Sequence, residues 1–312
     1  MHGPIADLRL LELAAPPLCL AAFAPLTIHL FMVGDCPNSK YDEMNQKHRL
    51  FGINIDAIRM PEAVSQLRGW IEGDDQTQVE GESNSSCRYV VTPNVDHAVL
   101  LQENELLVNA YQQAHLILAD GHPIVWASRL LRKPLPERVA GSELVPALFD
   151  SFNNDHASGK LRVFLLGAMP GVGATAAENM KQQWPNVETV GVYSPPFGFE
   201  NDPEENNYLL GRIALCRPDV VIVGLGAPKQ EIWVSKNFEQ INAKAALCVG
   251  ATIDFLAGEQ KRAPVWMQRG GVEWLHRMCS QPKRLVKRYA KDAWVFPQLV
   301  LKQMFGGWKP AT

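Results

Sequence analysis

The sequence predicts an α/β protein with a Rossmann-like, mostly parallel sheet, helices on both of its faces, and a helical C-terminal appendage. Three observations carry this. Strand-like runs such as Asp219–Val223 are almost wholly apolar, as strands buried on both faces must be. Helix-length segments separate these runs, as parallel crossovers require. Beyond Pro264 the alternation stops and the pattern turns helical, with Trp266, Trp274, Trp294 and Trp308 among the eight tryptophans.

Taken in order, Leu50–Ile55 reads as a strand and Pro61–Trp70 as a helix with proline in its first turn. Glu72–Ser86 is acidic, polar and non-periodic, hence a loop. Tyr89–Val91 is a short strand running into Thr92-Pro93-Asn94. Asp96–Gln113 reads as one helix, with Val99, Leu100, Leu106, Leu107 and Tyr111 roughly on one face. Leu116–Leu118 is a strand ending in Ala119-Asp120-Gly121, followed by a helix over His122–Leu131. Strands then fall at Leu161–Leu166, Val187–Val192, Asp219–Val223 and Ala245–Val249. Helices fall between and beside them at Val172–Gln183, Pro203–Cys216 and Lys229–Phe238.

Composition limits the function classes. The 312 residues are 46% hydrophobic and 20% charged, enough apolar surface to exclude global disorder. A net charge of −3 argues against a nucleic-acid partner. The six cysteines are scattered without a CxxC pair, which argues against a zinc site or a disulfide scaffold. Cys216 and Cys248, among apolar neighbours, read as reduced core residues of a cytoplasmic protein. Charge is uneven: from Pro264 onward there are nine Lys/Arg against two acids, and a basic tail on an acidic body suggests a partner for the tail. Three segments are therefore expected: residues 1–43, an α/β core over 44–263, and a basic, Trp-rich appendage over 264–312. In the first, Leu13–Phe31 holds no formal charge but is interrupted by Pro16, Pro17 and Pro25, with no positive leader. It reads either as a membrane-associated segment or as an unstructured extension.

In open parallel sheets ligands bind beyond the C-terminal ends of the strands. The polar residues there are Thr92 and Asn94, Asp120, then Gly224, Gly226, Lys229 and Gln230, and finally Thr252 and Asp254. Asp120, between apolar residues and a glycine, is the candidate acid/base group; the competing reading is a helix N-cap. Arg138 sits in an apolar, glycine-ended turn and either grips a phosphate or forms a structural ion pair. Gly167–Gly173 is glycine-rich after a strand but lacks GxGxxG spacing; it reads as phosphate contact or as close helix–strand packing. No P-loop, HExxH or DxD motif is present, so no metal or cofactor is expected. In the tail, Arg284, Lys287, Arg288 and Lys291 share one helical face near Tyr289 and Trp294. That stripe suits an anionic bilayer or the solvated face of a helix packed on the body.

Six motifs in register make the sequence specific. Thr92-Pro-Asn94, Ala119-Asp-Gly121, Glu137-Arg-Val-Ala-Gly-Ser142, Gly224-Leu-Gly-Ala-Pro-Lys-Gln-Glu231, Gly250-Ala-Thr-Ile-Asp254 and the tail Ala263-Pro-Val-Trp266 … Glu273-Trp-Leu-His-Arg277 … Pro282-Lys-Arg284 resemble the WecG/TagA/CpsF glycosyltransferase family (glycosyltransferase family 26) over about Phe51 to Tyr289. The resemblance implies an inverting, metal-independent hexosyltransferase. It would move a sugar from a nucleotide sugar, expected to be a UDP-sugar, onto a polyprenyl-diphosphate-linked saccharide at the inner face of the cytoplasmic membrane. The products of such enzymes feed wall teichoic acid, common antigen, capsule or exopolysaccharide. It also implies Asp120 as base, with Thr92, Asn94, Arg138 and Gln230 in the active site and Asp254 on the nucleotide side. Arg277 and Arg284 fall on the family's tail arginines, and a third basic position falls on Lys287, with Arg288 beside it. Glu143 stands where the family has Asp. The implied carrier is UDP, with N-acetylmannosamine, its uronic acid or glucose as the sugar, and a homo-oligomer is compatible with the resemblance. Two rivals remain at this level: a Rossmann-type NAD(P)-dependent oxidoreductase, and a non-catalytic scaffold of a polysaccharide-synthesis complex.

Overall fold

A computed structural model describes residues 46–73, 87–155, 159–260, 263–264, 266–267, 271, 273–280 and 282–306. The readings for residues 1–43, and for most of the acidic loop, lie outside the described residues. The first element among the described residues is a hairpin. Strands β1 (Lys47–Leu50) and β2 (Ile53–Asp56) pair antiparallel across Phe51-Gly52, whose φ values of 52° and 91° are both positive. A two-residue turn between right-twisted strands requires this. The single strand expected over Leu50–Ile55 is corrected: apolar side chains continue through the turn while the backbone reverses.

Helix α1 (Met60–Glu72) carries proline in its first turn and ends on Gly73 at φ 81°. The main sheet is built from β3 (Arg88–Val91), β4 (Leu116–Ile117), β5 (Leu161–Gly167), β6 (Val187–Tyr193), β7 (Val220–Gly224) and β8 (Ala245–Cys248). All six are parallel, in the order β4-β3-β8-β7-β5-β6. The chain lays β3 and β4 on one side, crosses to lay β5 and β6 on the other, and returns to fill the middle with β7 and β8. Such reversals of strand order splay the connecting loops and open a crevice at the C-terminal strand ends.

Alternate strand residues bury on opposite faces. Val91, Phe164, Leu166, Val221, Val223 and Cys248 enter one core; Val90, Val163, Leu165, Val220, Ile222 and Leu247 enter the other. This is why the strands read as continuous apolar runs. The second core is covered by α1, α5 (Gly141–Asn153), α6 (Val172–Gln183) and α9 (Thr252–Ala257). The first is covered by the hairpin and by α2 (Val95–Leu100), α3 (Glu105–Gln112), α4 (His122–Leu130), α7 (Pro203–Cys216) and α8 (Lys229–Asn237). The single helix expected over Asp96–Gln113 is two, because Asn104 caps α3 by accepting a hydrogen bond from the Leu107 amide at 3.0 Å.

The C-terminal segment holds α10 (Glu273–Ser280) and α11 (Pro282–Met304). Leu299 and Val300 of α11 are buried in the first core. The Phe296 ring lies 5.1 Å from that of Phe51, and the Phe51 amide donates to Gln303 Oε1 at 3.0 Å. Residues 39–312 accordingly form one compact unit. Helix α11 thus contributes side chains to the same core as the strands.

Candidate active site

The loops leaving the six parallel strands converge on an open cleft of about 1690 Å³. After β3, the Thr92 hydroxyl donates to the Cys248 carbonyl at 3.1 Å, tying this loop to β8. Asn94 caps α2, its Oδ1 accepting from the His97 amide at 3.3 Å. After β4, the Asp120 amide donates to the Pro93 carbonyl at 2.8 Å, and the Val139 amide donates to the Ala119 carbonyl at 2.9 Å. These bonds bring Asn94, Asp120 and Arg138 together. Asp120 is not the cap of α4: that position is Gly121, at φ 140°, which leaves the carboxylate partly exposed beside the cleft.

Arg138 is largely buried among three acids. Its Nη1 lies 3.8 Å from Asp120 Oδ1 and 3.7 Å from Glu273 Oε2, and its Nη2 donates to Glu143. The glutamate at 143 thus pairs with Arg138. Glu273 comes from α10, so the C-terminal segment reaches the strand-end residues directly. Gln230, at the start of α8 and 2% exposed, uses both ends of its amide. Its Nε2 donates to Glu231 Oε1 at 2.7 Å, and its Oε1 accepts from the Gly250 amide at 3.2 Å.

Gly224, Gly226, Lys229 and Asp254 also line the cleft. A Cβ on Gly224 would lie 2.8 Å from the Gly250 carbonyl, so this glycine permits close packing of β7 on β8. Lys229 Nζ pairs with Glu200 Oε1 at 3.1 Å at the rim. Helices α4, α6 and α8 begin at these strand ends, and a helix N-terminus carries partial positive charge. Gly167 and Gly173 serve packing: a Cβ on Gly167 would meet the Gly224 carbonyl at 2.5 Å, and one on Gly173 would meet Val192 at 2.4 Å. Of the two readings of the glycine-rich run, packing is the one with contacts behind it.

The tail residues separate. Arg288 Nη1 lies 3.5 Å from Asp96, and Lys291 Nζ lies 2.8 Å from Glu103. Half of the expected basic stripe is therefore spent on ion pairs with the body, because the face carrying it also packs α11 against α2. Lys287 is exposed. The side chains of Arg277 and Arg284 lie outside the described residues. Among the described residues there is no group of three or more metal-ligating side chains, and no helix long and apolar enough to cross a membrane.

Sequence reasoning missed a buried polar cluster behind the loops. His97 Nε2 lies 3.1 Å from Glu231 Oε1, and its Nδ1 lies 3.0 Å from Asn94 Oδ1. Burial disfavours the charged imidazole, but Glu231, Asp96 and Asp120 together outweigh it and hold His97 above its ordinary pKa. The signal was faint: a lone histidine on an apolar helix, and a glutamate at the end of a motif.

A carboxylate beside a guanidinium, at a cleft ringed by helix N-termini at the switch of a parallel sheet, defines the class as an α/β group-transfer enzyme. Comparison with known proteins makes it particular. The sequence matches the glycosyl transferase WecG/TagA/CpsF family over residues 48–310. A Staphylococcus aureus (strain MRSA252) protein named N-acetylglucosaminyldiphosphoundecaprenol N-acetyl-beta-D-mannosaminyltransferase is 28% identical over 236 residues, covering 76% of this chain and 85% of that protein. Proteins of the same name from strains MW2 and NCTC 8325 / PS 47 are 27% identical with the same coverage. The chain belongs to the WecG/TagA/CpsF family, and it is a glycosyltransferase of the hexosyl class.

Proposed function

We propose that this enzyme transfers a hexosamine-type sugar from a UDP-sugar to a polyprenyl-diphosphate-linked saccharide, with inversion and without a metal, during assembly of a teichoic acid-like envelope polymer. The named activity of the relatives supports the acceptor class. The observation that carries the reading is Asp120, held next to Arg138 where the strand-end loops meet. In this mechanism Asp120 takes the proton of the acceptor hydroxyl as its oxygen attacks the anomeric carbon. The bond from that carbon to the diphosphate oxygen breaks on the opposite face, and the nucleoside diphosphate leaves with the electron pair. Among the described residues, Arg138, Lys229 and the N-terminus of α8 are positive groups available to the departing charge. A diphosphate would compete with Glu273 for Arg138 and with Glu200 for Lys229, which couples binding to rearrangement at the rim.

We infer that the enzyme is peripheral at the inner face of the cytoplasmic membrane, a reading the acceptor class supports. Supporting this, α11 presents Lys287, Trp294, Leu301 and Phe305 on one exposed face, opposite its buried Leu299 and Val300, with Trp294 and Phe305 75% and 78% exposed. Aromatic and aliphatic groups on one face, with a lysine, suit the headgroup boundary of an anionic bilayer. The decisive experiment incubates the full chain with a panel of UDP-hexoses and UDP-hexosamines and a short-chain polyprenyl-diphosphate GlcNAc. A disaccharide-lipid of inverted anomeric configuration is the expected product. Hydrolysis alone, or a product of retained configuration, overturns the reading.

A further inference from the structure

The two amides at the floor of the cleft, Asn94 and Gln230, come from different strand-end loops, yet one buried pair joins them. Starting at Asn94, Oδ1 faces His97 Nδ1 at 3.0 Å, and His97 Nε2 faces Glu231 Oε1 at 3.1 Å. The same Glu231 oxygen accepts from Gln230 Nε2 at 2.7 Å, and Gln230 Oε1 accepts from the Gly250 amide at 3.2 Å. This line runs from the loop after β3, through α8, to the loop after β8.

We propose that His97 and Glu231 form a buried imidazolium–carboxylate pair whose role is to position Asn94 and Gln230, fixing both amides with their N–H groups toward the oxygens of the bound sugar or diphosphate. Three observations support the charged form. Glu231 is 0% exposed and its Oε2 has no hydrogen-bond partner. A carboxylate in that setting needs an adjacent cation. Besides Glu231, Asp96 on the same helix and Asp120 after β4 both favour a protonated ring. The Tyr111 ring packs edge-on at 6.2 Å, Asp292 of α11 also lies within electrostatic reach, and Arg288, paired with Asp96, is the opposing cation on that side. Finally, Nδ1 is closer to Asn94 Oδ1, at 3.0 Å, than to the backbone nitrogen of Asn94, at 3.4 Å. Donation from Nδ1–H to Oδ1 is the shorter bond, and it needs both ring nitrogens protonated once Nε2–H is given to Glu231.

Asn94 Oδ1 then accepts twice from His97, from its ring and from its amide. Only Nδ2–H remains to face a ligand. Gln230 likewise has one N–H left over. The floor of the cleft is thereby a donor surface that recognises hydroxyl or phosphate oxygens, and His97 and Glu231 act through it without touching substrate.

The kinetic arm of the test rests on the glycosyl-transfer reading; the spectroscopic arm does not. In 15N-histidine-labelled full-length protein without substrate, His97 should show two protonated ring nitrogens at pH 7.5. A neutral ring overturns the proposal. Glu231→Gln should lower kcat on the order of tenfold to a hundredfold by loosening both amides, with the donor KM changed far less. The pH dependence carries the sign. Without the carboxylate, burial pushes His97 toward neutrality, so the charged form is lost at lower pH than in wild type. The variant should therefore regain activity on going from pH 8 to pH 6 while wild type does not. A Glu231→Gln enzyme with wild-type kcat, or one reduced equally at every pH, overturns the positioning role. Should this variant fail to fold, the wild-type ring measurement decides alone. Absence of transfer by wild type with every donor would count against the function proposed above and leave the ring measurement to stand.

Discussion

Arg138 Nη1 lies almost equidistant from Asp120 at the end of the sheet and Glu273 on α10, at 3.8 Å and 3.7 Å. One guanidinium thus touches the candidate base and the segment that covers it. Arg138→Lys keeps the charge but loses the planar fork that serves three carboxylates at once. Loss of kcat/KM on the order of 10² is expected, comparable to removal of one transition-state donor. Steady-state kinetics beside a thermal melt checks it; an unchanged kcat/KM would remove Arg138 from the transition state.

Asp120→Asn should lower transfer by on the order of 10²–10⁴ while UDP affinity and melting temperature stay close to wild type. The mutant amide fills the same space but cannot take a proton. Titration calorimetry with UDP, run with the transfer assay, separates the two effects. Near-wild-type turnover would make another group the base.

Turnover should survive excess EDTA, because the proposed mechanism assigns the departing charge to Arg138, Lys229 and the N-terminus of α8 rather than to a metal. The check is a chelated reaction with and without added Mg²⁺ or Mn²⁺. Inactivation by chelation that either metal reverses would show that the leaving group needs an ion.

Gly167→Ala should destabilise the fold by about 2–4 kcal/mol. The residue sits at φ 111°, and its new Cβ would lie 2.5 Å from the Gly224 carbonyl. Gly226→Ala is the comparison: φ is 80°, but nothing lies within 4 Å of the added atom, so only the left-handed backbone cost of about 1–2 kcal/mol applies. Urea denaturation of both variants tests the difference.

Asp292→Asn should stabilise the protein above pH 6. Asp292 is 4% exposed, and neither carboxylate oxygen has a hydrogen-bond partner. Burial, reinforced by Asp96, raises its pKa from 3.8 to about 6. A carboxyl raised on folding favours the native state below its unfolded pKa, and that contribution is lost as pH climbs through about 6. The variant should gain on the order of 1–3 kcal/mol at pH 8 and little at pH 4, which melting curves at the two values will show.

Much of this was legible in the sequence because the governing physics is local. The apolar strands declare a sheet buried on both faces, and β3 to β8 fall within a residue or two of their expected positions. The strand-end rule then gathered Thr92, Asn94, Asp120, Gln230 and Asp254 before any topology was known. What escaped depends on contacts distant in the chain. Phe51-Gly52 lacks the Asn-Gly or Asp-Gly signature of a tight hairpin, so an alternating apolar run hid a reversal. Helix α5 begins on Gly141 and carries Pro146, both weak helix signals, and it forms because Leu144, Leu148 and Phe149 have a sheet to cover. The basic stripe of α11 was visible, but Asp96 and Glu103, which claim Arg288 and Lys291, lie nearly two hundred residues earlier, with a separation of 188 for the second pair.

The bond between the Phe51 amide and Gln303 spans 252 residues, and it sets a timetable for biosynthesis. At ribosomal speeds of about 5–20 residues per second, the β1–β2 hairpin leaves the exit tunnel roughly 10–50 s before its covering helix has been translated. During that interval the apolar flank of the nascent sheet has no native cover. Premature termination anywhere before α11 would release a chain with the Phe51 side of its core bare, a substrate for chaperones and proteases rather than a smaller enzyme.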